Sequence, residues 1–78
     1  MSIENELKMI PRERIEQEDI LRLLRERGYK VEQDLKISSQ EDTYYDDSNR
    51  TLLKNGCSFR IRRKVGKTVV TYKSPIDS

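Results

Sequence analysis

Near its start the chain alternates: Ile3, Leu7 and Met9 share one parity, and Glu4, Glu6 and Lys8 share the other. A period of two belongs to a half-buried β-strand, and Pro11 ends it. From about Glu16 the spacing changes. Ile20, Leu21, Leu23 and Leu24 gather on one stripe of a helix, and Gly28 can close it in the left-handed conformation. This helix is predicted to pack on the apolar face of the sheet.

Alternation returns after Tyr29. Leu35, Ile37 and Tyr45 fall on one parity, with Gln40, Asp42 and Tyr44 on the other, so a second strand is expected within residues 35–46. Asp46-Asp47-Ser48-Asn49 reads as a turn, because short polar side chains bond to their own backbone. Asn55-Gly56 is a two-residue hairpin signal. Beyond it, Cys57, Phe59, Ile61 and Val65 oppose Ser58, Arg60, Arg62 and Lys64, and Arg63 interrupts the apolar set. Gly66 permits a tight turn. Val70 and Tyr72 then alternate with Lys67, Thr71 and Lys73 until Ser74-Pro75 ends the last strand. The predicted fold is α+β: a strand, one packed helix, then an antiparallel β meander, in one domain spanning residues 1–78.

Charge sharpens this picture. A net +2 hides an asymmetry: residues 1–49 carry eight basic and thirteen acidic side chains, whereas residues 50–73 carry eight basic ones and no acid. The C-terminal third is therefore suited to face anions. Cys57 is the only cysteine, which excludes an intramolecular disulfide and, in a chain without histidine, reads as a small packing residue. No apolar run reaches the length of a signal peptide or a membrane span, and a soluble cytoplasmic protein is expected.

The polar parities carry the candidate chemistry. Glu4 and Glu6 stand at i and i+2 on one strand and project side by side. Hard cations such as Mg²⁺ or Mn²⁺ take one or two carboxylates and fill their other positions with phosphate oxygens and water. Arg60, Arg62 and Lys73 lie on the polar parity of later strands. Arginine holds phosphate oxygens through two parallel hydrogen bonds, and lysine acts as a point charge. Were the sheet to curl with these faces inward, it would enclose a wet channel with a carboxylate pair beside a basic wall.

Glu4-Asn5-Glu6-Leu7-Lys8 resembles the ExExK signature that opens CYTH domains, the superfamily of class IV adenylate cyclases and thiamine triphosphatases. Gln40 to Asp47, Leu53 to Gly56, Phe59-Arg60-Ile61-Arg62-Arg63 and Val70-Thr71-Tyr72-Lys73 resemble the family's next blocks, in the same order. The resemblance implies half of an eight-stranded antiparallel tunnel, with Glu4 and Glu6 binding the metal and Lys8, Arg60, Arg62 and Lys73 contacting phosphates. It also implies a catalytic role for Glu4, Glu6 and Lys8. The family has a second half, roughly as long again, and this sequence stops at Ser78. The chain is thus expected to be an N-terminal half, either a piece of a longer protein or one that closes a barrel with a second copy as a homodimer.

The function implied is binding and hydrolysis of a triphosphate-containing small molecule with Mg²⁺ or Mn²⁺, the substrate being inorganic, thiamine or nucleoside triphosphate. A class IV adenylate cyclase and a non-catalytic phosphate-binding or self-associating module are the alternatives. Taken singly, the same charged residues are ordinary solvated strand faces, and Arg60 and Arg62 could line a nucleic-acid groove. Against nucleic acid, no aromatic shares the parity of Arg60 and Arg62 within their run, and paired glutamates repel phosphate unless a metal intervenes. One of Tyr44 and Tyr45 is expected in the core, and Asp46 at the start of the turn.

Overall fold

A computed structural model of the chain describes residues 4–11 and 14–75, with the side chains of residues 5–11 and 16–75. In order they form β1 (Glu4–Met9), α1 (Arg14–Glu26), β2 (Tyr29–Ile37), β3 (Gln40–Asp47), α2 (Thr51–Lys54), β4 (Ser58–Lys64) and β5 (Lys67–Pro75). The five strands make one open sheet in the order β1-β5-β4-β3-β2, every neighbouring pair antiparallel. The meander is therefore present from β2 to β5, and β1 returns beside β5 to form one edge. Ile3, expected on the apolar face, lies outside the described residues.

Directly opposed residues share a face, so the register separates the sheet into two surfaces. Met9, Val70, Ile61 and Thr43 form one cross-strand row, and Leu7, Tyr72, Phe59 and Tyr45 form the next on the same side. Ile61 and Val70 are buried here, and the Tyr45 and Phe59 rings meet edge to face at 6.1 Å and 81°. Helix α1 packs over this face toward β2. Leu24 is buried, and Gln17 Nε2 donates to Thr68 Oγ1 at 3.2 Å. Gln17, Ile20, Leu21 and Leu24 make the i, i+3, i+4 stripe. Leu23, expected on that stripe, stands off it and is 51% exposed. Among the described residues the helix does not reach β1, and Leu7, Met9 and, just past the strand, Ile10 remain exposed.

Two local expectations are corrected. The single strand expected within residues 35–46 is two strands, β2 and β3, joined by Ser38-Ser39, with Ile37 opposite Gln40. Ser38 takes a φ of 53° to make the reversal. The reversal puts Leu35 opposite Asp42, so residues of opposite parity end on the same face. Asn55-Gly56 is likewise not a hairpin turn, for Asn55 has φ −98° where that turn needs a positive value. Gly56, at φ 69°, instead stops α2: its N–H donates to Leu53 O at 3.1 Å and Cys57 N–H donates to Leu52 O at 2.7 Å, the paired bonds of a Schellman cap. Cys57 is half-buried, in keeping with a packing role.

The start of α2 hangs on Asp46. Its Oδ1 accepts from Asp47 N at 2.8 Å and from Leu52 N at 3.1 Å, and its Oδ2 accepts from Leu53 N at 3.1 Å. Asp46 is itself buried and lies within β3 opposite Lys30, so the turn begins after Asp47 and not at Asp46 as expected; the Asp46 side chain anchors it from the strand. Asp46→Ala is predicted to leave these donors without an acceptor and to lower unfolding stability by about 1–3 kcal/mol. Urea denaturation followed by circular dichroism measures this, and Asp46→Asn should recover part of the loss.

Candidate functional site

The face turned away from α1 is polar because the strand parities fall into register. Glu6, Lys73 and Ser58 form one row across β1, β5 and β4. Lys8, Thr71, Arg60 and Tyr44 form the next, across β1, β5, β4 and β3. Val69, Arg62 and Asp42 form a third. Four predicted phosphate contacts, Lys8, Arg60, Arg62 and Lys73, and one predicted metal ligand, Glu6, therefore share one surface. Glu4 pairs with Pro75 through the backbone and has the parity of Glu6. Its side chain lies outside the described residues.

The charges on this surface are not equally engaged. Lys8 Nζ lies 3.2 Å from Glu6 Oε1, and both groups are open to solvent, so this pair contributes little to stability. Arg62 is held firmly: its Nε donates to Asp42 Oδ1 at 2.8 Å and its Nη2 donates to Asp42 Oδ2 at 2.9 Å. Gln40 Nε2 also donates to Asp42, at 3.3 Å to Oδ2. The Arg62 hydrogen bond, opposed by burial and aided by the charges of Arg62 and Arg60, holds the Asp42 carboxyl below its ordinary pKa. The same bond raises the pKa of Arg62.

Arg60 differs. Among the described residues neither it nor Lys73 enters an ion pair, and Arg60 Nε is buried without a hydrogen-bond partner. So is Thr71 Oγ1, directly across the β4–β5 pair. Buried polar atoms in folded proteins nearly always have partners, and exceptions call for an explanation. Arg60 also lines, with Lys8, Arg62, Lys64 and Lys67, a groove of about 170 Å³ that has Val69 as its apolar wall. Five cations around so small a space favour an anion carrying several charges.

Sequence reasoning located the cations on this surface and left two members unassigned. Asp42 and Thr71 fell on the polar parities, but parity reports a face and not a partner. The tyrosines divide as expected: Tyr45 packs on Phe59, while Tyr44 stands opposite Arg60 on the polar face. Arg63, the interruption of the apolar set, lies near its end, where its Nη1 donates to Thr43 Oγ1 at 3.2 Å and lies 3.7 Å from Glu41 Oε1. Among the described residues no three His, Cys, Asp or Glu side chains gather as a metal cage, and no helix is long and apolar enough to cross a membrane.

The family model of the CYTH domain matches residues 2–78, and the chain belongs to that family. No curated protein and no solved structure matches it. The open five-stranded antiparallel sheet with its two helices is consistent with part of a CYTH barrel.

The Asp42–Arg62 fork gives this surface a signature in acid. A carboxyl whose pKa is lowered by folding stabilises the protein above its unfolded value of about 3.9 and ceases to do so as pH falls through the folded value. Asp42→Asn should therefore be less stable than the parent near neutrality, and the gap should narrow as pH drops below about 4. Thermal midpoints of both proteins between pH 7 and pH 2 test this. A gap independent of pH would contradict it.

Proposed function

We propose that this CYTH-family chain supplies the triphosphate-binding wall of a divalent-metal-dependent triphosphatase. The observation that carries the reading is the polar face itself, on which Glu6 adjoins Lys8 and Lys73, Arg60 shares the row of Lys8, and the buried Nε of Arg60 has no partner. A triphosphate brings several negative charges and an array of acceptor oxygens. Arg60 and Lys73, which enter no ion pair among the described residues, can take phosphate oxygens without breaking one. Lys8 must share its ammonium with Glu6, and Arg62 must offer the part of its guanidinium that Asp42 does not use.

Glu6, with Glu4 two residues earlier on the same parity, fits a hard cation that also takes phosphate oxygens, so Mg²⁺ or Mn²⁺ would be held there. When bound, the cation supplies Lewis-acid polarisation and charge neutralisation at the phosphoryl oxygens. The arginine and lysine side chains orient the phosphate chain and stabilise the charge that builds on the leaving phosphate as water attacks in line. Closing this face into a tunnel takes strands beyond the five, added at the β1 and β2 edges. Inorganic, thiamine and nucleoside triphosphates all present the group this wall would read. Hydrolysis makes the smaller demand, since cyclisation of ATP also requires the ribose hydroxyl to be placed.

Calorimetric titration of inorganic triphosphate into the chain, with and without Mg²⁺, tests the reading. Metal-dependent binding is expected, weakened at least tenfold by the double change Glu4→Gln and Glu6→Gln and by Arg60→Ala, with each variant folded by circular dichroism. Phosphate release in the same sample marks a hydrolase, and cyclic AMP from ATP marks a cyclase. A folded parent chain that binds no triphosphate would refute the proposal.

A further inference from the structure

Thr71 is the most completely enclosed side chain among the described residues, at 1% exposure, yet its hydroxyl has no hydrogen-bond partner. It lies on the polar face between Lys8 on β1 and Arg60 on β4, directly opposite both. A threonine buried only for packing would leave its hydroxyl unsatisfied at a cost that valine avoids. The partnerless Nε–H of Arg60 stands on the neighbouring strand in the same row, and strands are spaced about 4.8 Å apart. Arginine Nε can only donate, whereas a threonine hydroxyl can donate or accept. The hydroxyl does not accept from Arg60, so both groups keep an unused donor, and one acceptor can take both once the side chains that enclose them shift aside. The cationic side chains of Lys8 and Arg60 flank that position, which selects an anionic oxygen over a cation.

We propose that the Thr71 hydroxyl is a ligand of the bound triphosphate, donating to the phosphate oxygen that Arg60 Nε also holds. This rests on the triphosphate reading above and extends it to a neutral donor. The pair also separates the two arginines. Arg60 acts with Thr71 on the anion, while Arg62 is positioned by Asp42 through two of its donors. A water oxygen could accept the same two bonds, but it would leave the charge of Arg60 unanswered.

The test compares Thr71→Val and Thr71→Ser with the parent by calorimetric titration of inorganic triphosphate in Mg²⁺, together with thermal midpoints without ligand. Valine keeps the shape and removes the hydroxyl, so its midpoint should equal or exceed that of the parent. Its affinity should fall roughly tenfold, the size of one hydrogen bond to a charged partner. Serine keeps the hydroxyl and should bind within about threefold of the parent. Parent-like affinity in folded Thr71→Val would overturn the proposal. So would a lowered midpoint in Thr71→Val, since that places the hydroxyl in a bond within the protein. A folded parent that does not bind triphosphate would instead remove the functional reading on which the proposal stands.

Discussion

The strict alternation of side chains along a β-strand governs everything else in this molecule. Leu7, Met9, Phe59, Ile61, Val70 and Tyr72 take the α1 side of the sheet only if Glu6, Lys8, Arg60, Arg62, Thr71 and Lys73 face the other way. A slip of one residue in any pairing would carry that strand's charges into the α1 face and its apolar residues out. Burial of Ile61 and Val70 therefore fixes the register that aligns Lys8, Thr71 and Arg60 in one row. Core and site are two readings of the same pairing.

Register must also survive the connection between β3 and β4, which is where α2 enters. Asp46 and the Schellman cap at Gly56 fix the two ends of this short helix, so β4 starts at Ser58 and Arg60 arrives opposite Tyr44. Past this connection the polar face is graded. At one end Asp42 holds Arg62 in a closed fork, and next to it Arg60 and Thr71 keep buried donors without internal acceptors. Polar groups left unsatisfied in the folded state cost stability, and proteins tolerate them where a ligand repays it.

Much of this was legible from the residues. β1 alternates cleanly, β4 and β5 do so but for Arg63 and Val69, and the turn between the last two at Gly66 uses a residue suited to its φ of 73°. The Ser38-Ser39 reversal was hidden because serine lacks the preference for positive φ that marks such turns, and two strands merged into one. Asn55-Gly56 was seen but misread, since a glycine in the left-handed region serves a helix stop as well as a hairpin. At the site, charge and parity placed the cations. They could not say which cation was already bound: the roles of Asp42 and Thr71 depend on cross-strand register, which no local pattern encodes. CYTH-family membership and the resemblance in the sequence blocks point the same way, and the register supplies the physical reason the blocks converge.

The most direct test of the central claim is a nuclear magnetic resonance titration of the ¹⁵N-labelled chain with inorganic triphosphate in Mg²⁺, following backbone amides and the arginine Nε–H signals. If the polar face is the anion-binding surface, the largest shifts will fall on Lys8, Arg60, Thr71 and Lys73. The Nε–H of Arg60 should move further than that of Arg62, and α1 should stay unchanged. Shifts centred on α1, or a spectrum of the folded chain that triphosphate leaves unaltered, would contradict the account.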